Sequence, residues 1–209
     1  LSENKIIEQV ETKKILFLGS SCIYPANCKQ PMKEEYLLSG PLEKTNEGYA
    51  IAKIAGLKMG EYFNKQYGLQ TISLMPCNLY GDNDHFDLEK SHVLSSLIKR
   101  FVDAKNNKDQ SISLWGSGKA KREFMHVNDF ARIAIEIMEK HELENFINIG
   151  TGKDVSIKEL AKTISSEVGY KGKILWDKSM PDGMKRKCLD VSKMQKLKLL
   201  PKIKLRDGI

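Results

Sequence analysis

A pair of serines that follows an apolar run, and a tyrosine and a lysine four residues apart, are the parts of this sequence best suited to acid–base chemistry. The run Ile-Leu-Phe-Leu at 15–18 has the length of a buried strand, and Gly19 ends it. Ser20 and Ser21 are therefore expected at the carboxyl end of that strand. In open α/β sheets this edge is where ligands bind.

Tyr49 and Lys53 lie in a segment, 45–67, whose apolar residues have helical spacing. Both side chains are therefore expected on one face of a helix. An ammonium about 4–5 Å from a phenol, at an effective dielectric constant near 20, favours the phenolate by on the order of 4 kcal/mol, or roughly three pKa units. With Ser20 holding a carbonyl oxygen, Tyr49 would then give or take its proton near neutral pH. The spacing alone also arises by accident on helix faces, and the upstream serines favour the catalytic interpretation.

Cys22 and His92 are candidates for a second kind of proton transfer. Cys22 lies two residues after Ser20, and His92 lies at an expected helix start, where the helix dipole disfavours the imidazolium form. A thiolate can abstract a proton next to a carbonyl, and an imidazole can return one. The structural alternatives are a buried cysteine that acts as a small hydrophobe and a histidine that caps its helix.

Composition and charge limit the possible partners. The chain has 209 residues, 41% of them hydrophobic, with a net charge of +7, so it can bury a substantial core. Basic residues are interleaved with acidic ones along the chain. A small molecule with a diphosphate group therefore explains the excess of positive charge as well as nucleic acid does. No nucleic-acid partner is predicted. No long apolar stretch or signal peptide is visible, which predicts a cytoplasmic protein without a membrane partner.

The cysteines predict neither a metal site nor a disulfide framework. Cys22, Cys28, Cys77 and Cys188 show no Cys-x-x-Cys spacing and no histidine at zinc-ligand spacing, so reduced thiols are expected.

Strands that alternate with helices along the chain predict a parallel α/β sheet. Asn128 or Asp129 is expected to cap the fourth helix, and Asp190 the last one. The predicted strands are 15–18, 71–75, 111–115, 122–127, 146–149 and 174–176, and the predicted helices are 1–12, 45–67, 91–105, 130–139, 156–168 and 190–197, with a loop over 26–47.

Three motifs together resemble the extended short-chain dehydrogenase/reductase family. They are Ser-Ser-Cys-x-Tyr-Pro at 20–25, Tyr-x-x-x-Lys at 49–53 and Pro-Cys-Asn-Leu-Tyr-Gly at 76–81. Further stretches at 29–32, 115–118, 122–127 and 181–183 are similar to the GDP-L-fucose synthase branch. The similarity runs from residue 14 to residue 209. Gly48 and Cys77 depart from it, since relatives usually have proline and threonine there.

The resemblance implies a Rossmann-like, doubly wound parallel sheet with a smaller α/β substrate domain. Residues 1–80 and 129–150 would belong to the dinucleotide-binding domain, and 81–128 and 151–209 to the substrate domain. It also implies a homodimer that uses NADPH to epimerise C3 and C5 of GDP-4-keto-6-deoxymannose and then to reduce C4. Two alternative functions stay open. The protein could be a related nucleotide-sugar reductase, epimerase or dehydratase, or it could be a non-catalytic fragment that binds sugar nucleotides.

The resemblance also implies roles for individual residues. Ser20, Tyr49 and Lys53 would carry the reduction, and Cys22 and His92 the proton exchange of the epimerisation. Arg100, Trp115, Arg122 and Asp182 would bind the nucleotide sugar, although a solvated arginine and a core tryptophan are the plainer interpretations. The residues that would contact the NADPH cofactor are Leu18, Gly19, Ser20, Ser21, Tyr49, Lys53, Pro76, Cys77, Asn78, Leu79 and His92.

The glycine-rich turn that a dinucleotide site needs between its first strand and first helix is not found in this sequence. Gly116 and Gly118 are followed by basic residues and a strand-like run rather than by a helix. The resemblance places the 15–18 strand fourth in its sheet. We therefore expect about 80–90 residues ahead of this chain, at about 30 residues per βαβ unit, and a terminal helix beyond it, so that the chain is a fragment.

Overall fold

The computed structural model describes residues 12–87, 91–143 and 146–209, so the helix predicted at 1–12 lies outside the described residues except for Thr12. None of the helices in these ranges is long and apolar enough to cross a lipid bilayer. In chain order the elements are β1 (Lys14–Leu18), α1 (Glu47–Tyr67), β2 (Gln70–Pro76), β3 (Asn78–Tyr80), α2 (Val93–Asn106), β4 (Ser111–Trp115), β5 (Lys121–His126), α3 (Val127–Lys140), β6 (Ile147–Ile149), β7 (Asp154–Ser156), α4 (Ile157–Val168), β8 (Lys173–Asp177), β9 (Arg186–Lys187) and α5 (Ser192–Lys196).

The first sheet is parallel and has the strand order β1-β2-β6. Leu18 pairs with Leu74, and Leu74 pairs with Ile147, so the carboxyl ends of β1 and β2 meet at one edge. Helices α1 and α3 pack against this sheet. The predicted α/β class with parallel strands is confirmed.

Two further sets of strands lie beyond the first sheet. β5 pairs in parallel with β3 and β9 and antiparallel with β7. β4 pairs in parallel with β8. The pairing of β9 with β5 sets Lys187 opposite Arg122. It joins a segment near the end of the chain to the sheet that contains β3, β5 and β7.

Within the described part of the chain, buried hydrophobic side chains form two clusters. The first surrounds the β1-β2-β6 sheet and includes Leu74, Met75 and Ile149, with Ile133 and Ile137 from α3. The second lies mainly between α2 and α4, where Phe101, Leu160 and Ile164 are fully buried. The helical spacing of these residues explains why both helices were predicted, since one apolar face of each is covered.

Some predictions of burial, helix caps and short strands were wrong, because contacts between distant segments determine these features. β1 is half-buried rather than buried, because it has one hydrogen-bonded neighbour, β2, within the described residues. Helix α3 begins at Val127, and His126 caps it by accepting from the Asn128 N–H (3.2 Å). Asp129 is instead buried and accepts from two N–H groups near the end of the chain, those of Lys202 and Ile203. β3, β7 and β9 were not predicted because two or three residues carry no periodicity.

Asn148 in the middle of β6 is fully buried, and its polar groups connect three segments. Its amide NH₂ donates to the carbonyls of Met32 (3.0 Å) and Asp190 (3.1 Å). Its amide oxygen accepts from the Tyr24 hydroxyl, and its backbone N–H donates to Glu34 (3.0 Å). A buried polar residue with every group paired fixes the position of the chain around it.

Replacing Asn148 by alanine should lower the free energy of unfolding by about 2–4 kcal/mol, because it leaves the buried Tyr24 hydroxyl without its acceptor and the Asp190 carbonyl without its donor. The Met32 carbonyl keeps the Asp190 N–H (2.8 Å). The control Asn128→Ala, at an exposed position in the first turn of α3, should change it by less than about 0.5 kcal/mol. Urea unfolding of the two variants gives the comparison. Equal losses would contradict the role given to Asn148.

Candidate active site

The residues that follow β1 are held at the sheet edge by backbone hydrogen bonds. The Gly19 N–H donates to the carbonyl of Leu74 (2.9 Å). A Cβ at Gly19 would lie 2.3 Å from the end of the buried Met75 side chain and 3.3 Å from the Leu74 carbonyl, so a larger residue there would force Met75 to move. On the neighbouring strand, the Cys77 N–H donates to the carbonyl of Ile149 (3.0 Å). The edge from which ligands are bound in open sheets is therefore rigid here.

Ser20 and Cys22 lie on the two sides of a tight turn. The chain forms one 3₁₀ turn over Ser21–Ile23, and the Ser20 hydroxyl oxygen accepts from the Cys22 N–H (3.1 Å). Ser21 and Ile23 are buried, whereas Ser20 and Cys22 are half-buried. The turn thus leaves the side chains of Ser20 and Cys22 partly accessible and close to each other.

Lys53 connects α1 to the end of β1. Its ammonium donates to the carbonyl of Leu18 (2.9 Å) and lies 5.7 Å from the centre of the Tyr49 ring. Tyr49 is 50% exposed, and Leu18 is 45% exposed. The predicted pairing of Tyr49 and Lys53 on one helix face is seen, with the ammonium near the aromatic ring and bound to the strand end.

Lys187 was not identified from the sequence, yet it is the cation in contact with Cys22. Its ammonium donates to the Cys22 sulfur at 3.0 Å. Burial alone would raise the pKa of the Cys22 thiol. The charge of Lys187 and hydrogen bonds from the Ser20 and Lys187 side chains outweigh burial, so the pKa of Cys22 lies below its ordinary value. The surroundings of Cys22 therefore favour the thiolate more than those of an ordinary cysteine do.

The remaining residues predicted to line the cofactor lie on the segment between β2 and β3. Pro76 ends β2, and Asn78 donates its amide NH₂ to the carbonyl of Glu123 (2.8 Å). Leu79 is half-buried. Burial raises the pKa of Cys77 well above its ordinary value, so this thiol stays neutral, in contrast to Cys22.

A separate cavity of about 760 Å³ collects two of the four residues predicted to bind a nucleotide sugar. Arg100 from α2 and Trp115 from β4 line it, together with a second indole, Trp176. His92 is exposed and stands at the N-cap of α2, next to Ser91, which also lines the cavity. The size and the aromatic lining suit a small organic ligand.

Arg122 and Asp182 take part in contacts of their own. Arg122 donates through one guanidinium nitrogen to the carbonyls of Lys121 (2.8 Å) and Met184 (2.6 Å), and burial lowers the pKa of Arg122. Asp182 accepts from the backbone N–H (2.5 Å) and the hydroxyl (2.6 Å) of Ser117. Asp182 therefore fixes the turn that follows Trp115, and a direct role of either residue on a ligand stays a prediction.

The structure thus divides the predicted site residues into two groups. One group gathers at the sheet edge, with Ser20 and Cys22 on their turn and Tyr49 with Lys53 on α1. The other group surrounds the cavity between α2, β4 and β8. Sequence reasoning did not assign Lys187 or Trp176 to the site. Lys187 lies in no periodic segment or motif, and Trp176 was predicted only as part of a strand. The pairing of β9 with β5 and of β4 with β8 places them.

Comparison with known proteins identifies the family. Residues 5–150 match the NAD dependent epimerase/dehydratase family. The putative GDP-L-fucose synthase 2 of Arabidopsis thaliana is 51% identical over 197 residues, which cover 94% of this chain and 60% of the plant protein. The GDP-L-fucose synthase of Escherichia coli strain K12 is 50% identical over 210 residues, which cover 96% of this chain and 65% of the bacterial protein. The chain therefore spans 60% and 65% of the length of these two relatives.

A solved structure shows the same fold. GDP-mannoheptose C4 reductase from Campylobacter jejuni with NADP bound matches with a TM-score of 0.86 and 35% sequence identity, over 98% of this chain and 71% of that one. The Rossmann-like fold predicted from the sequence is confirmed. The chain belongs to the NAD-dependent epimerase/dehydratase family.

Proposed function

We propose that the protein containing this chain converts GDP-4-keto-6-deoxy-D-mannose to GDP-L-fucose, by epimerisation at C3 and C5 and NADPH-dependent reduction at C4. The observation that carries the proposal is the contact of the Cys22 thiol with the Lys187 ammonium, two residues after Ser20. Tyr49 lies near the same sheet edge, because Lys53 on its helix binds the Leu18 carbonyl at the end of β1. A reduction alone needs no such thiol. The identity to GDP-L-fucose synthases of a plant and a bacterium supports the choice of substrate.

The donors at the edge of β1 fit a nicotinamide nucleotide. The Lys53 ammonium has three donors, one of which goes to Leu18 within the described residues, and the others suit ribose hydroxyls. The exposed side chain of Leu18 offers an apolar surface for a ring. Bound NADPH would supply the hydride for C4. The NADP in the Campylobacter structure supports this choice of cofactor.

Ser20 and Tyr49 would act on the oxygen at C4. Ser20 donates its hydroxyl hydrogen to the carbonyl oxygen, which favours the negative charge that develops there. Tyr49 gives its phenolic proton to the same oxygen as the alcohol forms. Lys53 holds Tyr49 in place, since its ammonium lies 5.7 Å from the centre of the Tyr49 ring.

Cys22 and His92 would exchange the protons at C3 and C5. The Cys22 thiolate takes the proton next to the carbonyl, and the electron pair of the broken C–H bond moves into an enolate that Ser20 stabilises. His92, at the start of α2, returns a proton from the opposite face. These steps precede reduction and need no hydride.

We also propose that the two hydrophobic clusters mark two domains. The cluster around β1-β2-β6 would form the core of the dinucleotide-binding domain, 1–80 and 129–150, and the α2–α4 cluster the core of a substrate domain, 81–128 and 151–209. Residues from 189–199 of the second domain also pack into the first cluster. The cavity with Trp115, Trp176 and Arg100 would take the guanine nucleotide, by stacking and by charge.

A reductase that does not epimerise is the second candidate. It is favoured by the likeness to the Campylobacter C4 reductase, at 35% identity over 98% of this chain. Such an enzyme needs Ser20, Tyr49 and Lys53 but no base at Cys22. Proton exchange with solvent therefore separates the two functions.

We further propose a homodimer that forms through α1. Ile51, Ala55, Met59 and Tyr62 follow one another at helical spacing, and all four are exposed. An apolar stripe of this kind on a long helix suits a partner helix.

Tyr49→Phe in the full-length protein should lower turnover by about 10²–10⁴-fold, because it removes the proton donor at C4. Substrate affinity should stay within a few fold. Tyr67→Phe at the end of the same helix, where the side chain is 66% exposed, is the matched control and should leave turnover unchanged. NADPH oxidation measures both. Near wild-type rates in Tyr49→Phe would remove Tyr49 from the mechanism.

Cys22→Ser should lose most deuterium incorporation from D₂O at C3 and C5 and should still reduce a keto-sugar, because proton abstraction needs a thiolate and reduction does not. His92→Gln should keep some exchange but fail to invert the centres. Mass spectrometry of the product measures the exchange. Wild-type deuterium incorporation in Cys22→Ser would make the reductase the better assignment.

Ile51→Asp should shift the full-length protein from dimer to monomer, because a buried carboxylate without a partner opposes association. Ile135→Asp is the matched control, since Ile135 on α3 is 58% exposed and Ile51 is 54% exposed. Sedimentation velocity measures the oligomeric state of each variant. A dimer that survives in Ile51→Asp would place the interface elsewhere.

A further inference from the structure

Lys187 reaches Cys22 from a strand that is far away in sequence. The contact between its ammonium and the sulfur is 3.0 Å long and joins residues 165 positions apart. The backbone next to Lys187 is fixed on both sides. Lys187 and the preceding residue, Arg186, pair with β5. After it, the Cys188 N–H donates to Gln30 (3.0 Å) and the Leu189 N–H donates to Glu123 (2.7 Å). These backbone hydrogen bonds therefore hold Lys187 next to the Cys22 thiol.

Three other groups act on this pair. The Ser20 side chain bonds to the Cys22 side chain and favours its ionised form. The Glu43 carboxylate opposes the thiolate and is itself attracted by Lys187. Cys28 also feels the charge of Lys187, but burial raises the pKa of this second thiol above its ordinary value. Of these groups, Lys187 makes the largest contribution in favour of the Cys22 thiolate.

Ser20 cannot serve two acceptors at once. A serine has one O–H donor, and in the proposed reaction this donor is given to the carbonyl oxygen at C4. At that moment the Cys22 sulfur loses the Ser20 donor and keeps the ammonium of Lys187. The cation is therefore needed most in the step in which Cys22 acts as the base.

We infer that Lys187 is the positioning residue that holds the Cys22 sulfur as a thiolate and orients it for proton abstraction; this rests on the proposed function. The thiolate takes the proton from carbon, an S–H bond forms as the C–H bond breaks, and the electron pair moves into the enolate. Lys187 stays protonated throughout and touches neither the reacting carbon nor the proton. An arginine at this position would keep the charge, and a methionine would keep only the apolar stem.

The test measures how fast iodoacetamide alkylates Cys22 in the full-length protein between about pH 5 and pH 10, because only the thiolate reacts. Fragment-ion mass spectrometry assigns the label to Cys22 or to the half-buried Cys28, six residues away on the same peptide. In the wild type we expect the reaction to reach half its maximal rate below the pH of an ordinary thiol. Lys187→Met should move this midpoint to higher pH and slow alkylation at neutral pH by at least about tenfold, the lower end of what an opposite charge at this range contributes.

Two variants serve as controls. Lys187→Arg should keep most of the wild-type profile, and Lys185→Met, which removes an exposed lysine two positions away, should leave it unchanged. The pH dependence of deuterium exchange into the sugar should follow the alkylation profile in each variant. An ordinary thiol profile in the wild type would overturn the inference without any variant, and so would an unshifted profile in Lys187→Met. Alkylation needs neither substrate nor cofactor, so its outcome is independent of the deuterium test of the proposed function.

Discussion

The buried amide of Asn148 is the constraint on which the arrangement at the sheet edge depends. It accepts from Tyr24, which follows the turn of Ser20 and Cys22, and it donates to Asp190, which follows Lys187 by three residues. One side chain in β6 therefore fixes both segments that meet in the contact between Cys22 and Lys187. Hydrophobic burial could hold these segments near the sheet, but it is not directional. Hydrogen bonds with every group paired specify one position.

Glu123 reinforces this arrangement from the other side. It is 1% exposed, and its two oxygens accept from the backbone N–H groups of Thr151 (2.6 Å), Gly152 (2.7 Å) and Leu189 (2.7 Å). The strand that carries Lys187 is thus tied to β5 by its own ladder and by this carboxylate. Two buried polar side chains, on two different strands, place an ammonium against a thiol. The chemistry then follows from that contact, since it makes Cys22 ionisable while Cys77, buried without such a partner, stays neutral.

The sequence predicted the elements with strong periodicity and the motifs that lie on them. Helix α4 was predicted within one residue, because Ser156 and Glu159 form a capping box at its start and its apolar face is regular. The Tyr49 and Lys53 pairing was predicted for the same reason, as a helix fixes the direction of residues four apart. The strand before Ser20 was found because glycine ends it.

Contacts between distant segments were beyond the reach of such reasoning. Lys187 lies in a two-residue strand whose neighbours on the chain show no pattern, and its contact with Cys22 exists only because β9 pairs with β5. Trp176 was assigned to a strand, but its place in the cavity beside Trp115 depends on the pairing of β4 with β8. Local periodicity carries no information on which strands will pair, and the site is built from those pairings.

In the proposed reaction the groups for proton exchange and for reduction act on one sugar ring. A crystal structure of the full-length protein with NADP and GDP-L-fucose tests it most directly. We predict that the Tyr49 hydroxyl lies within about 3 Å of the oxygen at C4, and that the Cys22 sulfur, still beside Lys187, lies within roughly 3.5 Å of C3 or C5. A sugar that contacts Tyr49 while the Cys22 sulfur lies beyond about 6 Å of both carbons would contradict it, because a base must reach the proton it abstracts.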